Sequence, residues 1–499
     1  MVVFVGAIVV MFAGLGKKES KSLPLALLFL IAALVLIPLD FMAKLPWKFE
    51  LKYVDFDMLF FDRVALAFSG LLILASIFIL SLFKSDENYG SDLPVLFMFS
   101  LCGALIMTAA NNLVMLFLGI EALSIPLYVL VGSRKKSLAG NEAAIKYFLM
   151  GAFSTAVFLL GCAFIYGSTG AIDLESIFRN SNMLAHMKAN NSLQSVGISL
   201  LLVGLCFKVS AFPFHFWSPD VYEGSPNRAT VFMSTIVKVA AFAAFFRLFT
   251  LVLMDAKELQ WGVILAVISG MTILVGNIAA IRQSNVKRTL AYSSVAHAGY
   301  MLMAILSNPE DAFWALLLYG AGYVAANVIV FYYFNALSSE GNESFDVFNG
   351  MASKDRFGAV LIAISMFSLA GIPLTVGFAG KYSIFTAAFQ GYPWLVGVAL
   401  LVFFTLLLSI SEFLLFDYAY AIAATAIVLL ISLYAKSHFK SLSTALIFGS
   451  FIGALYTFIF VLIRLEDTAL LVGSIGLFVI LSVAMYASRK INWYSNSNN

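Results

Sequence analysis

Residues 206–226 read CFKVSAFPFHFWSPDVYEGSP. In this stretch a lysine, a histidine and prolines interrupt a run that otherwise has the hydrophobicity of a membrane span. A charge at bilayer depth is costly, and a proline removes a donor from the hydrogen-bond ladder of a helix. The stretch therefore predicts a broken membrane helix whose freed backbone groups face a polar cavity.

The composition is typical of a multi-spanning membrane protein. The chain has 499 residues, of which 62% are hydrophobic and 11% are charged, and its mean hydropathy is +0.96. These values exclude a soluble globular core. The net charge of +3 is small and dispersed, so we expect a lipid environment and no nucleic-acid partner. Cys102, Cys162 and Cys206 lie singly in apolar segments without CxxC spacing, which predicts no metal or iron–sulfur site.

Apolar runs of membrane-spanning length follow one another along the whole chain. They predict an all-α polytopic membrane protein of about fifteen or sixteen transmembrane helices. The predicted spans lie near 1–16, 23–39, 64–83, 93–110, 113–132, 147–169, 193–217, 229–254, 261–281, 289–306, 312–337 and 357–388, and four more lie within 394–487. The polar stretch 173–195 has room for one short surface helix.

Basic residues are more frequent after the odd-numbered spans than after the even-numbered ones. By the positive-inside rule this predicts an N-terminus outside the cytoplasm. The last quarter of the chain disagrees, because Lys436, Lys440, Arg489 and Lys490 fall outside if 357–388 crosses once.

A second segment, 357–388, is interrupted in a similar way by Gly371, Pro373, Gly377 and Gly380, with Lys381 beside the break. Paired broken helices with a charge beside each break are typical of inverted-repeat transporters, because unwound backbone is tolerated only around a polar cavity. Proline kinks also occur in inert membrane helices, so either break alone leaves both interpretations open.

Several charged residues are predicted to lie within the membrane. Glu121 lies near the middle of its span, with no basic residue in the same helix. Lys208 and Lys238 are also deep, whereas Lys146 is near a helix end and Lys381 lies just beyond the second break. The deep charges together cost on the order of 10 kcal/mol of insertion free energy, which a purely structural protein has little reason to carry.

Two of these groups have structural alternatives. Lys146 follows Glu142 by one helical turn, so the two could form an interfacial ion pair. Glu121 and Lys208 could form a purely structural bridge between helices.

The deep groups suit the movement of protons. Burial disfavours the charged form of a lysine and a nearby carboxylate restores it, so a changing Glu–Lys contact makes a lysine hold or release a proton. His215 either passes protons between neighbours or hydrogen-bonds at the break. His297, beside Ser293 and Ser294, is either a relay or a hydrogen-bonded core histidine.

Four stretches carry a family resemblance: FLGIEALSIPLYVLVGSRKKSLAGNEAAIKYFLMGAF, FKVSAFPFHFWSPDVYEGSP, KRTLAYSSVAHAGYM and SLAGIPLTVGFAGKY. Over about residues 1–390 the chain resembles the N subunit of bacterial complex I, the proton-translocating NADH:quinone oxidoreductase. The resemblance implies an antiporter-like fold of inverted repeats with two broken helices and no redox centre. It also implies other membrane subunits as partners, no cofactor bound by this chain, and NADH, FMN, iron–sulfur clusters and quinone in partner subunits. The expected location is the bacterial inner membrane, with a periplasmic N-terminus.

The resemblance also assigns proton-transfer roles by motif. Glu121 matches the family's essential glutamate, and Lys208 matches the lysine of its first broken helix. Lys146 and Lys238 match its bridging lysines. Two more positions match: Lys381 corresponds to the lysine of the second broken helix, and His215 to the histidine after the first break.

Beyond residue 390 the chain departs from this family. Its tail, about 391–499, resembles the C-terminal part of the inner-membrane protein CreD, which predicts two modules joined near 388–402. Proton translocation within complex I is the expected function. The alternatives are a subunit of a Mrp-type cation/proton antiporter, or an inactive membrane scaffold, because the tail replaces spans expected to pack against the second broken helix.

Overall fold

A computed structural model describes residues 1–14, 22–41, 58–82, 92–186, 192–250, 261–338, 343–372, 375–389 and 391–398, with isolated positions between 425 and 457. The chain divides into two units, Met1–Leu406 and Leu407–Asn499. All named helices lie in the first unit. Of the predicted join near 388–402, residues 388–389 and 391–398 are described, and apart from 394–398 and the isolated positions the four spans predicted within 394–487 lie outside the described residues.

The described residues form helices, with isolated β-bridges and no strand. In chain order the helices are α1 Val2–Gly14, α2 Ser22–Phe41, α3 Arg63–Leu82, α4 Asp92–Ala109, α5 Leu113–Val131, α6 Leu138–Thr169, α7 Leu174–His186, α8 Ser192–Val209, α9 Trp217–Gly224, α10 Asn227–Phe232, α11 Lys238–Leu248, α12 Trp261–Ile281, α13 Val286–Ile305, α14 Pro309–Leu337, α15 Met351–Lys354, α16 Arg356–Ala370 and α17 Val376–Phe389. A π-helical turn, Met233–Val237, joins α10 to α11.

Within the described part of the chain, eight helices are long and apolar enough to cross a membrane, with α10 to α11 taken as one. Apart from the two breaks and residues at the span ends, the described parts of the spans predicted up to residue 388 are helical, which confirms the all-α polytopic class. The prediction for α6 was too short, because the helix begins at Leu138 rather than near 147. Ser137 caps it by accepting a hydrogen bond from the backbone N of Gly140 at 3.1 Å, so the polar first turns are helical too.

One end of the helix bundle is held by Arg247, near the C-terminus of α11, and we call it the Arg247 end. The buried guanidinium pairs with Asp62 and donates through Nε to the Thr108 carbonyl at 2.7 Å. Asp62 in turn accepts from the backbone N of Ala65 in the first turn of α3, at 2.8 Å. The start of α3 and the ends of α4 and α11 therefore meet at this end.

The opposite end is held by Lys287, in the first turn of α13, and we call it the Lys287 end. Its buried ammonium donates to the carbonyls of Glu223 and Ser225, each at 3.0 Å, and pairs with Glu343 at 2.6 Å. The end of α9, the start of α13 and the segment after α14 therefore meet here. Because the chain reaches the two ends alternately, the helices run up and down across the bundle.

Two helix pairs approach each other closely at a glycine. A Cβ added at Gly103 of α4 would overlap the backbone N of Leu123 in α5. A Cβ at Gly276 of α12 would overlap the backbone N of Ala296 in α13 in the same way. In a membrane, where packing drives helix association, such small residues let two backbones approach closely.

Two asparagines show that these pairs belong to a repeat. Asn112 caps α5 and forms an antiparallel bridge with Asp173, while Asn285 caps α13 and bridges Ser344. Gly276 and Asn285 follow Gly103 and Asn112 at the same spacing, so α12–α13 repeats α4–α5 in register. The first repeat crosses the membrane an odd number of times, through α4, α5, α6, α8–α9 and α10–α11. The second repeat therefore starts from the opposite side and is inverted in the membrane, as the sequence predicted.

We expect Gly103→Ala to lower the thermal unfolding temperature of the detergent-solubilised protein, because the new methyl group has no space against α5. Overpacking of this kind costs about 1–3 kcal/mol. The matched control is Gly167→Ala on α6, since nothing lies within 4 Å of a Cβ added there. Equal unfolding temperatures for the two variants would show that the α4–α5 approach is not tight.

Candidate functional site

The first break follows α8. Ser210 adopts a left-handed backbone conformation, with a φ of 58°. Its N–H donates to the Phe207 carbonyl at 3.0 Å, and the N–H of Ala211 donates to the Cys206 carbonyl at 2.8 Å. This is the Schellman arrangement, which ends a helix and usually has glycine at the left-handed position. The chain resumes as α9 at Trp217, whose indole N–H reaches back to the Phe207 carbonyl at 3.1 Å.

Lys208 lies in the last turn of α8, where a positive charge is favoured by the helix macrodipole. Its side chain is 2% exposed, and its ammonium donates to Ser124 Oγ of α5 at 2.5 Å. Ser124 donates its own proton to the Ile120 carbonyl, so its oxygen is free to accept. A hydroxyl on a neighbouring helix thus holds the buried ammonium.

Glu121 lies one turn before Ser124 on the same face of α5, and its charge acts on Lys208. None of the ion pairs among the described residues joins Glu121 directly to Lys208, so the direct bridge considered from sequence is absent from this part of the chain. Glu121 Oε1 is buried, with no protein hydrogen-bond partner in the described region. The charge of Glu121 therefore acts on Lys208 without a direct ion pair in the described region.

Lys238 follows the π-helical turn and is 1% exposed. Its ammonium donates to the backbone carbonyl of Ser294 on α13. In the register of the repeat, Ser294 corresponds to Glu121 and His297 corresponds to Ser124. The lysine thus contacts the position in the second repeat that Glu121 occupies in the first.

His297 lies between two of the lysines. Its ring is buried and its Nδ1 is hydrogen-bonded to the hydroxyl of Tyr319 on α14. The ring of Tyr323 packs against it, with the centroids 4.9 Å apart. The charges of both Lys238 and Lys381 act on the imidazole. His297 therefore occupies the interval that a proton relay between these lysines would have to fill.

The second break follows α16 and repeats the geometry of the first. Gly371 has a φ of 83°, and its N–H donates to the Ser368 carbonyl at 3.0 Å. The N–H of Ile372 donates to the Phe367 carbonyl at 2.9 Å, which completes a second Schellman arrangement. Pro373, part of the predicted break, lies outside the described residues.

Lys381 of α17 reaches across this break. Its buried ammonium donates to the carbonyls of Leu369 and Ala370, the last residues of α16, at 3.1 and 3.0 Å. It also lies 4.8 Å from the ring centroid of Tyr300, within cation–π range. The lysine thus occupies carbonyls that an unbroken helix would have used itself.

Lys146 lies apart from the other lysines. Its side chain is 41% exposed and forms ion pairs with Glu142 at 2.7 Å and Asp220 at 2.9 Å. It lines a cavity of about 250 Å³ at the Lys287 end, together with Glu223 and Arg288. The interfacial Glu142 pair, one of the two interpretations of Lys146, is therefore present.

His215 lies in the first break with a half-buried ring that stacks on Phe212, the centroids being 5.8 Å apart. Its Nδ1 is buried and has no protein hydrogen-bond partner in the described part of the chain. That part also contains no group of three or more His, Cys, Asp or Glu residues placed to hold a metal ion.

Sequence reasoning missed the groups that hold the lysines. Ser124 had a weak signal, since it lies one helical turn from Glu121. Tyr319 and the carbonyl of Ser294 had none, because each meets its partner only through packing between different helices.

Two family models match the chain. The model described as NADH:quinone oxidoreductase/Mrp antiporter, TM, matches residues 110–409. The model described as inner membrane protein CreD matches residues 388–494.

Similar proteins include NADH-quinone oxidoreductase subunit N of Cytophaga hutchinsonii, which is 42% identical over 352 residues, covering 69% of this chain and 75% of the relative. Subunit N of Trichlorobacter lovleyi is 40% identical over 351 residues, covering 70% and 71%. Among solved structures, a chain of respiratory complex I from Thermus thermophilus superposes with a TM-score of 0.69 at 31% identity, covering 86% of this chain and 95% of that one. A chain of the Mrp complex from Dietzia has the same fold, with a TM-score of 0.70 at 22% identity, covering 82% and 76%.

The inverted repeats, the two broken helices and the match over residues 110–409 define an antiporter-like membrane protein. The similar proteins identify the family within this class. The chain belongs to the family of the N subunit of NADH-quinone oxidoreductase, and its C-terminal part matches the CreD family.

We expect Glu343→Gln to destabilise the detergent-solubilised protein more than Glu142→Gln does. Glu343 neutralises Lys287, which is 1% exposed, and removing one partner of a buried ion pair costs up to about 3–5 kcal/mol. Glu142 is exposed and Lys146 keeps Asp220, so its loss should cost about 0–1 kcal/mol. Thermal unfolding of both variants checks this, and an equal or larger loss for Glu142→Gln would contradict it.

Proposed function

We propose that this chain translocates protons across the bacterial inner membrane as a subunit of an NADH:quinone oxidoreductase. The proposed path uses Glu121, Lys208, Lys238 and Lys381. His297 relays between the last two lysines, His215 serves the first break, and Lys146 serves the outer part of the path at the Lys287 end. The observation that carries the proposal is that three lysines, each at most 4% exposed, donate to neutral acceptors at or beside interruptions of helices.

Neutral acceptors suit a reversible proton site. A hydroxyl or a carbonyl orients an ammonium group without the full charge of a carboxylate, so the lysine can release its proton and remain in place as an amine. The field of Glu121 favours the ammonium form of Lys208, and weakening that field favours release. Each lysine gives up one proton and takes one back in a cycle.

The partners follow from the family. We propose that other membrane subunits of the oxidoreductase surround this chain, and that NADH, FMN, iron–sulfur clusters and quinone bind in partner subunits. The basic loop residues Arg134, Lys135, Lys136 and Arg282 follow spans that finish at the Lys287 end, so the positive-inside rule supports a cytoplasmic Lys287 end and a periplasmic N-terminus.

The proposed organisation is a translocating module of residues 1–390 and a CreD-like module of 391–499, joined near 388–402. If the second module does not rebuild the surroundings of α17, the chain is instead an inactive scaffold. The other alternative is a subunit of a Mrp-type cation/proton antiporter. Sodium-dependent proton exchange in vesicles that lack NADH dehydrogenase would favour that alternative.

We expect Lys208→Met to abolish proton pumping by the assembled oxidoreductase in vesicles, because methionine fills the same space without a titratable group. The control is Lys136→Met, an exposed loop lysine, which should pump as the parent does. Pumping is measured as acidification per NADH oxidised, with assembly checked on native gels. Normal pumping by an assembled Lys208→Met complex would refute the proposed function.

We expect Lys381→Met to reduce pumping less than Lys208→Met does. The first break lies wholly within the module of residues 1–390, whereas the residues after α17 belong to the CreD-like match. The ratio of protons pumped to NADH oxidised is compared for the two variants at equal assembly. Equal losses would mean that the CreD-like module completes the second half of the path.

A further inference from the structure

Lys208 and Lys238 are not connected by any direct contact among the described residues. The ammonium of Lys208 is bound to Ser124 on α5, while that of Lys238 is bound to the Ser294 carbonyl on α13. A proton moving between them needs intermediate groups. Three tyrosines on α5, α6 and α9 are connected in this part of the bundle by ring contacts, directly or through Trp217.

Tyr128 begins this row. It lies one turn after Ser124 on α5, and both Ser124 and the charge of Glu121 act on its hydroxyl. The hydroxyl is buried and, within the described region, makes no protein hydrogen bond of normal geometry. It lies against Gly151 of α6, where an added Cβ would overlap it. A side chain at that glycine would therefore displace the hydroxyl.

Tyr147 of α6 comes next and is fully buried. Its ring meets Tyr128 edge-on, with the centroids 4.9 Å apart, and stacks on Trp217 at 5.0 Å. Its hydroxyl has no protein hydrogen-bond partner in the described part of the chain. Tyr147 thus contacts Tyr128 directly and is connected to Tyr222 through Trp217, whose ring contacts both.

Tyr222 of α9 completes the row. It is fully buried and packs edge-on against Trp217, with the centroids 6.5 Å apart. Its hydroxyl lies near the Ser294 hydroxyl without a hydrogen bond of normal geometry, and the Ser294 carbonyl holds the ammonium of Lys238. The three tyrosines thus extend from the neighbour of Lys208 to the partner of Lys238.

Burying the hydroxyl groups of this row costs free energy unless water molecules form hydrogen bonds with them. A buried hydroxyl without a partner costs about 1–3 kcal/mol, and phenylalanine would keep the same stacking without that cost. Such groups in protein interiors are normally satisfied by buried water molecules. The hydroxyls of Tyr128 and Tyr147 therefore indicate a hydrated row rather than a packing core.

We propose that Tyr128, Tyr147 and Tyr222, with water molecules between them, conduct protons between Lys208 and Lys238. Each hydroxyl oxygen accepts one proton from the preceding water and passes its own proton to the next, so every phenol stays neutral and no charge is left behind. The inference rests on the proposed function, because it connects two lysines of that path.

Tyr147→Phe tests the row, since it removes the hydroxyl and keeps both ring contacts. In vesicles containing the assembled oxidoreductase we expect the proton transport rate to fall by about tenfold or more. We also expect a larger solvent deuterium isotope effect on transport, because the damaged proton step becomes rate-limiting. A structural defect would instead lower assembly and leave the isotope effect of the remaining complexes unchanged.

The matched control is Tyr333→Phe on α14. Tyr333 forms a similar edge-on pair with Tyr332, with the centroids 5.2 Å apart, and lies outside the row. If Tyr147→Phe and Tyr333→Phe transport protons equally while Lys208→Met does not pump, the tyrosine row is wrong and the proposed function stands. Normal pumping by Lys208→Met would overturn both proposals.

Discussion

A lysine ammonium inside a bilayer needs hydrogen-bond acceptors, and an unbroken helix offers few because its carbonyls are already paired within the helix. Interrupting the helices supplies them. Lys381 uses the free carbonyls of Leu369 and Ala370 at the second break, and Lys208 sits in the last turn before the first. The close helix contacts at Gly103 and Gly276 then pack α5 against α4 and α13 against α12. The fold is arranged around the placement of buried charge.

The two repeats share a scaffold but differ in chemistry. The same capping asparagine and the same glycine contact place Glu121 and Ser124 in the first repeat where Ser294 and His297 lie in the second. A carboxylate near the first break is thus replaced by a backbone carbonyl, and a serine hydroxyl by an imidazole. The charge of Glu121 acts on the ammonium of Lys208 in the first repeat, whereas the ammonium of Lys381 in the second donates to backbone carbonyls.

The sequence was sufficient to predict the broken helices and the depth of the charges, because both depend on local patterns: proline, glycine and lysine within long apolar runs. The contacts between side chains on different helices depend on long-range packing and could not be predicted. That Ser124 binds Lys208, or that tyrosines from α5, α6 and α9 form one row, has no local signature. Lys146 is a second example of what the sequence alone could not predict. Its spacing from Glu142 allowed a surface pair, and only the position of Asp220 on another helix shows that the lysine lies in a charged cluster at the Lys287 end.

The central claim is that the buried lysines act in series on one path, and a double-mutant comparison tests it most directly. Lys208→Arg, Lys238→Arg and the double variant, in which a more tightly held proton is expected to slow rather than abolish transfer, would be assembled into the oxidoreductase, and protons pumped per NADH oxidised would be measured for each. Groups in series on one path give strongly non-additive losses, so the double variant should pump no worse than the more damaged single variant. Independent losses that multiply in the double variant would contradict the account, because the two lysines would then serve separate routes.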